Sequence, residues 1–558
     1  MRKALLIIAV IVLLTAAALL AIRSFLIIRP PLVSEIDTCT LQTRHAGDSM
    51  VYCGDSWLHT SKTGLYELYT EGNPYYRGLV TGKLIRRLLY KQEKTFVDQI
   101  HKYVPSDSYL NFLKFLVAVF NRNIDENIKA EYLQEIYGLS KFASNDFDNI
   151  GSKYQRLLNY QAAHDIGHMM QNYHLVGCTS FAVWNEKSAD SSLLVGRNFD
   201  FYVSDEFAED KIVSFVKPDS GYRYMMITWG GMMGVVSGMN DQGLTVTINA
   251  AKSKVPLHAA CPVSFVAKHI LQYAQNIDEA LNIARKYEVF VSETFLIGSA
   301  QDNKACIIEK NTEKTTLFRP YSSFVIATNH FQSPEFASDK LNIAQQKESP
   351  TSIRYKRTEQ LIKEAGRIDA AKAAAILRNP YGRDDKVIGF TNEEAVNQYI
   401  AHHSVIFEPE KLRVWVSTSP YQLGAYVCYD LTKIFAKKEC FKQEGELYDF
   451  ELSLLPDSVL LTEYYTKVVQ YKKTRDVVND YLKGNQKNID ETIIAQLIIL
   501  NPEFYQSYYL AGEYYYKNKE YKKALTNFET AVGKEIPYLS DRKKISGRID
   551  ECRKKVKN

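Results

Sequence analysis

The sequence predicts an α+β protein in which two β-sheets lie between helical layers. This four-layer αββα arrangement has a helical region before it and another after it. Three observations predict it. Residues 72–174 carry apolar side chains at three- and four-residue spacing, the pattern of amphipathic helices. From 178 the pattern changes to short apolar runs such as TSFAVW, LLVGRNFDF and GLTVTINA, as buried strands require. Beyond 445 helical spacing returns, now rich in tyrosine.

Taken in order, residues 4–22 (ALLIIAVIVLLTAAALLAI) are uncharged and apolar. At about 1.5 Å per residue they just cross a bilayer core. Arg2 and Lys3 precede them, which favours the N-terminus inside and the rest outside. This reads as an anchor in the cytoplasmic membrane, with the chain exported and facing the periplasm or cell exterior. The alternative is a signal peptide cleaved near Ala16-Ala17-Ala18 and a secreted product. Residues 30–60 mix short apolar stretches with turn residues and read as irregular or strand-like. LVTGKLIRRLLYKQEKTFVDQIHKYV and YLNFLKFLVAVF read as helices. Strands follow from 178, helices at 262–287, strands at 293–329, and helices at 352–377. SVIFEP, LRVWVSTS and AYVCYDL close the region as strands. Strands, helices and strands in that order fit two packed sheets with helices on their outer faces.

Composition excludes several classes. A net charge of +5 over 558 residues is weak. No Lys/Arg run with interleaved aromatics suggests a nucleic-acid groove, and the C-terminal lysines read as a solvated helix face. The eight cysteines lack CxxC spacing, so zinc has little support. Without an HExxH, P-loop or dinucleotide motif, no metal or nucleotide cofactor is implied. Cys39 and Cys53 are close enough to form a short-loop disulfide in an oxidising compartment. Cys261, Cys306, Cys428 and Cys440 read as small buried apolar residues.

Gly177-Cys178-Thr179-Ser180-Phe181 opens the first strand with a thiol at its tip, and Gly196-Arg197-Asn198-Phe199-Asp200-Phe201 ends the returning strand. If the Gly177–Cys178 bond is cut, Cys178 gains an α-amine with a pKa of about 8, suited to act as base for its own thiol. One residue then supplies nucleophile and base. Gly177, lacking a Cβ, permits close approach of the attacking thiol.

GCTSFAVW and GRNFDF, together with GMNDQGLTVTIN (238–249), IATNHF (326–331), SIRYKR (352–357) and HSVIFEP (403–409), resemble the acyl-CoA:6-aminopenicillanate acyltransferase family of N-terminal-nucleophile hydrolases. The set is similar, more distantly, to choloylglycine hydrolases and penicillin V acylases. The resemblance covers about 178–435. Upstream, LYTEGNPYYRGLVTGKL and EYLQEIYGLSKFAS resemble that family's helical pro-region. The resemblance implies four segments: 1–28 as anchor or signal, 29–177 as a mainly helical pro-region, 178–445 as the catalytic domain, and 446–558 as a helical extension. It also implies self-cleavage between Gly177 and Cys178, leaving two associated chains.

The resemblance further implies roles for other residues. Arg197 lowers the thiol pKa, and Asp200 holds the α-amine. Asn329 matches the family's catalytic Asn, and Asn249 a second oxyanion donor, with Asn240 as its turn-forming competitor. Arg354 completes the site, with Arg357 as the neighbouring alternative. His330, His402 and His403 read as structural, since an α-amine removes the need for a His base. The expected activity is hydrolysis or transfer at linear amide bonds of N-acylated small molecules or short peptides, without a cofactor. A lipid amidase or phospholipase-B-like hydrolase and an inactive scaffold are the alternatives. YYLAGEYYYKNKEYKKALTNFETA (508–531) matches the tetratricopeptide pattern at Tyr508, Gly512, Tyr515, Ala524, Phe528 and Ala531. It reads as a protein-binding module or as a helical cap.

Overall fold

The computed structural model describes residues 26–557 except 104–105, 163–164, 166–176, 202–203, 255–258 and 437–444. The apolar run 4–22 and Cys440 lie outside the described residues. Among the described residues, no helix is long and apolar enough to cross a membrane.

Two sheets form the centre. The smaller has seven strands: Phe324–Ala327, Thr179–Val183, Leu194–Phe199, His403–Glu408, Arg413–Ser417, Tyr426–Asp430 and Asp449–Leu454, in that spatial order. The larger has eleven. Its middle runs through Ile212–Pro218, Tyr224–Thr228, Ser237–Asn240, Leu244–Ala251 and Ser292–Ser299. Strand alternation builds the layers. Ala182 and Val195 face the larger sheet and pack with Phe215, Ile227 and Leu296. Phe181, Val183 and Leu194 point the other way and pack under Ile362 and Leu377, from the helices Thr351–Glu364 and Ala370–Leu377. On the outer face of the larger sheet, Val246, Ile248 and Phe295 pack with Tyr132, Leu157, Phe265 and Ile270. These come from the helices Ala130–Ser140, Lys153–Gln161 and Val263–Tyr273. The four expected layers are therefore present.

The described region before Cys178 is mainly helical, and it also contributes strands, three of them within residues 30–60. Thr43–Ala46, Met50–Cys53, Ser56–Thr60 and Tyr66–Gly72 form one end of the larger sheet, and Tyr66–Gly72 lies parallel to Ile212–Pro218. Most of these strands are too short for alternation to show in the sequence. A difference lies at the other end. Asp449–Leu454 pairs with Tyr426–Asp430, so the small sheet runs past the expected boundary at 445. Cys39 and Cys53, which the sequence allowed to pair, are both free, one exposed and one buried; Cys53 packs with Tyr75, Leu79 and Val80. Cys261, Cys306 and Cys428 are buried, as expected.

Five helices follow the sheets: Glu463–Lys483, Glu491–Leu500, Tyr505–Lys517, Tyr521–Val532 and Leu539–Lys557. They share a core of their own that also takes in Phe390, Tyr399 and Leu423 from the preceding region. At Gly512 a Cβ would come within 2.5 Å of the Phe528 ring, so the glycine lets two of these helices approach closely.

Candidate active site

Thr179–Val183 and Leu194–Phe199 are antiparallel neighbours, with Thr179 opposite Asn198 and Ser180 opposite Arg197. This register puts Cys178, at the start of one strand, beside Arg197 and Asp200, at the end of the other. Cys178 is buried. Its Sγ lies 3.8 Å from Arg197 Nη2 and 3.8 Å from the Asp200 carbonyl oxygen. Burial pushes the thiol up to about 11, and the Arg197 guanidinium works against that.

Arg197 is fully buried. It donates to the carbonyls of Val236 and Ile248 and to Ser237 Oγ, and its guanidinium lies 4.6 Å from the centre of the Phe199 ring. Asp200 is also fully buried, and among the described residues neither carboxylate oxygen has a hydrogen-bond partner. Loss of hydration raises it to about 7, opposed by Arg354 and Arg197.

Asn249 lies near the end of the strand Leu244–Ala251, and Asn329 lies two residues past Phe324–Ala327. Asn249 Nδ2 donates to the Ala327 carbonyl at 3.0 Å, and its Oδ1 accepts from Ser180 Oγ at 2.9 Å. Asn329 Nδ2 donates to the Ala250 carbonyl at 2.9 Å, and its backbone N–H to Thr351 Oγ1 at 2.7 Å. Arg354 Nη2 donates to Asn329 Oδ1 and, at 3.4 Å, to the Cys178 carbonyl. Its Nη1 donates to the Glu393 carbonyl at 2.8 Å. Hydrogen bonds therefore link Cys178, Arg197, Asp200, Asn329 and Arg354, and Asn249 adjoins them through Ser180 and Ala327.

The alternatives separate cleanly. Arg357 turns away to Asn379 and Asp385, leaving Arg354 at the site. Asn240 Oδ1 accepts from the N–H groups of Gln242 and Leu244, as a turn former does. Burial holds His330 down at about 4 and keeps His402 and His403 well below their ordinary value. His403 Nε2 meets Ser237 Oγ at 2.8 Å, which places it behind Arg197. Among the described residues one group, His59, Glu67 and Glu446, brings potential metal ligands within 4.8 Å of one another. It shares no residue with this site, and Glu67 is already engaged by His59 and Tyr429.

The sequence reading missed Gln398. Its Nε2 donates to the Gly177 carbonyl at 2.8 Å. It lies in an irregular polar stretch, NEEAVNQY, just before the strand His403–Glu408. Only that adjacency to a strand paired with Leu194–Phe199 could have pointed to it.

A double-sheet sandwich between helices, with a cysteine at the tip of an inner strand and a glycine before it, defines the N-terminal-nucleophile hydrolase class. Residues 184–419 match the family model described as acyl-coenzyme A:6-aminopenicillanic acid acyl-transferase. The match begins just after Cys178. Among relatives, an uncharacterized protein of Archaeoglobus fulgidus is 23% identical over 290 residues, covering 49% of this chain and 47% of its own. Proteins dcd1B and dcd1A of Dictyostelium discoideum are 21% and 23% identical, over 46% and 47% of this chain and 52% and 62% of theirs. The chain thus spans about half the length of the relatives it matches. Two solved structures are similar. One is a Caenorhabditis elegans N-acylethanolamine-hydrolyzing acid amidase ortholog, with TM-score 0.32 and 18% identity over 42% of this chain and 93% of that one. The other is a mutant conjugated bile acid hydrolase from Clostridium perfringens, with TM-score 0.32 and 14% identity over 46% and 93%.

Proposed function

We propose that the chain is a self-processing cysteine amidohydrolase that cleaves linear amide bonds of N-acylated small molecules or short peptides. The observation that carries this is Asp200, whose buried carboxylate has no hydrogen-bond partner among the described residues. A buried carboxylate without a hydrogen-bonded cation is costly, even with Arg354 and Arg197 nearby. Cutting the Gly177–Cys178 bond creates one beside it, the α-ammonium of Cys178.

In the processed enzyme the neutral α-amine takes the Cys178 thiol proton as sulfur attacks the acyl carbonyl. In this reading Asn249 and Asn329 each turn the remaining side-chain N–H to the oxyanion, and neutral amides do so without titrating. Arg354 holds Asn329, and Arg197 favours the thiolate. The α-ammonium returns its proton to the leaving amine. Water then attacks the thioester, losing a proton to the α-amine, and the free acid departs. Water is the default acceptor, because a transferase must hold a second substrate against solvent.

In this reading residues 4–22 anchor the exported enzyme, and the C-terminal helices act as a tetratricopeptide-like unit able to engage a protein partner. Intact-mass measurement and N-terminal sequencing test the proposal. Wild-type protein should give a chain beginning at Cys178, Cys178→Ala should stay full length, and processed enzyme should release free acid from N-acyl substrates without added amine. Uncut wild-type protein that is nevertheless active would overturn it.

A further inference from the structure

Under that reading the Gly177 carbonyl is the group attacked during self-cleavage, so the group that binds its oxygen binds the developing oxyanion. Gln398 occupies that position, with Nε2 at 2.8 Å from the Gly177 oxygen. Gln398 is buried, and its Oε1 has no partner among the described residues. The dipeptide is held on both sides. The Gly177 N–H donates to the Asp200 carbonyl at 3.0 Å, and the Cys178 carbonyl accepts from Arg354.

The glycine and the glutamine fit each other. A Cβ at residue 177 would lie 2.6 Å from Gln398 Oε1 and 2.8 Å from its Nε2. Any larger residue there pushes the amide off the carbonyl. The segment bearing Gln398 is also fixed. The Asn397 N–H donates to the Asn379 carbonyl at 2.9 Å and its Nδ2 to the Arg378 carbonyl at 3.1 Å, while Asn397 Oδ1 accepts from the Tyr399 N–H at 3.0 Å.

We propose that Gln398 is the oxyanion donor for self-cleavage at Gly177–Cys178. This inference rests on the self-processing reading above. Cys178 sulfur forms a bond to the Gly177 carbonyl carbon, and the carbonyl electron pair moves to the oxygen that Gln398 binds. Collapse of this intermediate breaks the Gly177–Cys178 C–N bond. The departing nitrogen takes the proton that the thiol gave up and becomes the α-amine. Water then hydrolyses the Gly177 thioester, giving a Gly177 carboxylate and the free thiol. The Gln398 hydrogen bond strengthens as the oxygen gains charge, in a buried site where a preorganised donor counts for most.

The test follows self-cleavage by intact mass in freshly refolded chain. Gln398→Met keeps the bulk and removes the donor, and should slow cleavage about 10²-fold or more. The thermal midpoint of the uncut chain, read in a Cys178→Ala background, should stay within a few degrees. If that midpoint falls further, Gln398→Asn, which withdraws the amide by one methylene, replaces it with the same expectations. Gly177→Ala should also slow cleavage, yet add little to Gln398→Met, because both remove one contact. Hydroxylamine, which intercepts a thioester, should not restore the rate. Cleavage of Gln398→Met at the wild-type rate, additive effects of the two substitutions, or rescue by hydroxylamine would each overturn the role of Gln398. Failure of the wild-type chain to cleave would instead overturn the self-processing reading itself.

Discussion

In the uncut chain the Asp200 carboxylate is fully buried, and burial raises it from its ordinary value of 3.8 to about 7. Below about pH 4 the folded and unfolded chains both hold this proton. Between about pH 4 and pH 7 the unfolded chain releases it while the folded chain keeps it, so stability falls as pH rises. Above 7 both are ionised and the loss, on the order of 4 kcal/mol, is complete. Asp200→Asn in the Cys178→Ala chain should therefore raise the thermal midpoint by a few degrees at pH 8 and barely change it at pH 4. Thermal scans at the two pH values check this; an equal effect at both would remove the buried charge as its cause. In the cleavable chain the same substitution should lower turnover by about 10²-fold or more, so function and stability move in opposite directions. Arg197→Ala is a poorer probe, because the guanidinium also satisfies two buried carbonyls and Ser237. Its loss mixes catalysis with folding. At this scale the resemblance pointed to Cys178, Arg197, Asp200 and Asn329 through short motifs at strand ends, and the structure brings these residues together. Gln398 was not legible, because one glutamine in an irregular stretch carries no period.

Among the elements, the helices Pro74–Leu84 and Ala130–Ser140 cross in backbone contact, since a Cβ at Gly78 would lie 2.0 Å from the Glu135 carbonyl oxygen. Between them and the helix Val263–Tyr273 is a buried ion triad. Glu135 meets Arg77 at 3.4 Å on one oxygen and Lys268 on the other. Arg77 and Glu135 precede the cleavage position, and Lys268 follows it. Together with the parallel pairing of Tyr66–Gly72 on Ile212–Pro218, this would tie the two products of the proposed cleavage together. They should co-elute on gel filtration and separate on a denaturing gel. Glu135→Ala takes the buried carboxylate from Lys268 and leaves Arg77 with Asp219 at 3.7 Å, and should cost about 3–5 kcal/mol. The expected readout is a lower thermal midpoint and parting of the chains on dilution. Co-elution of the Glu135→Ala chains at an unchanged midpoint would show that the triad contributes nothing. The sequence revealed the helices through their spacing. It concealed the strand Tyr66–Gly72, whose parallel partner Ile212–Pro218 lies more than a hundred residues away.

At the scale of the whole molecule, the C-terminal helices reach the segment that carries Gln398. Asn501 Nδ2 donates to the Phe390 carbonyl at 3.0 Å, and its Oδ1 accepts from the Phe390 N–H at 3.2 Å. Lys472, 5% exposed, donates to the Tyr399 carbonyl at 3.1 Å and to Asp205 at 2.7 Å. Phe390, Tyr399 and Leu423 are buried in the helical core itself. Removing residues 463–558 would expose these three side chains, a loss of about 1.5–3 kcal/mol for each large one, and would free the residue next to Gln398. A protein-binding unit joined by a simple linker would have no such effect. A chain ending at 462 should therefore process slowly or not at all, and Lys472→Met, which keeps the apolar stem and removes the ammonium, should slow self-cleavage severalfold while the chain stays folded. Intact mass over time gives the rate, and a thermal scan reports folding. Cleavage of Lys472→Met at the wild-type rate, with the truncated chain also cut normally, would make the helices a separable module. Slowed cleavage in a folded Lys472→Met chain would instead make them part of what holds the Gly177 carbonyl in place.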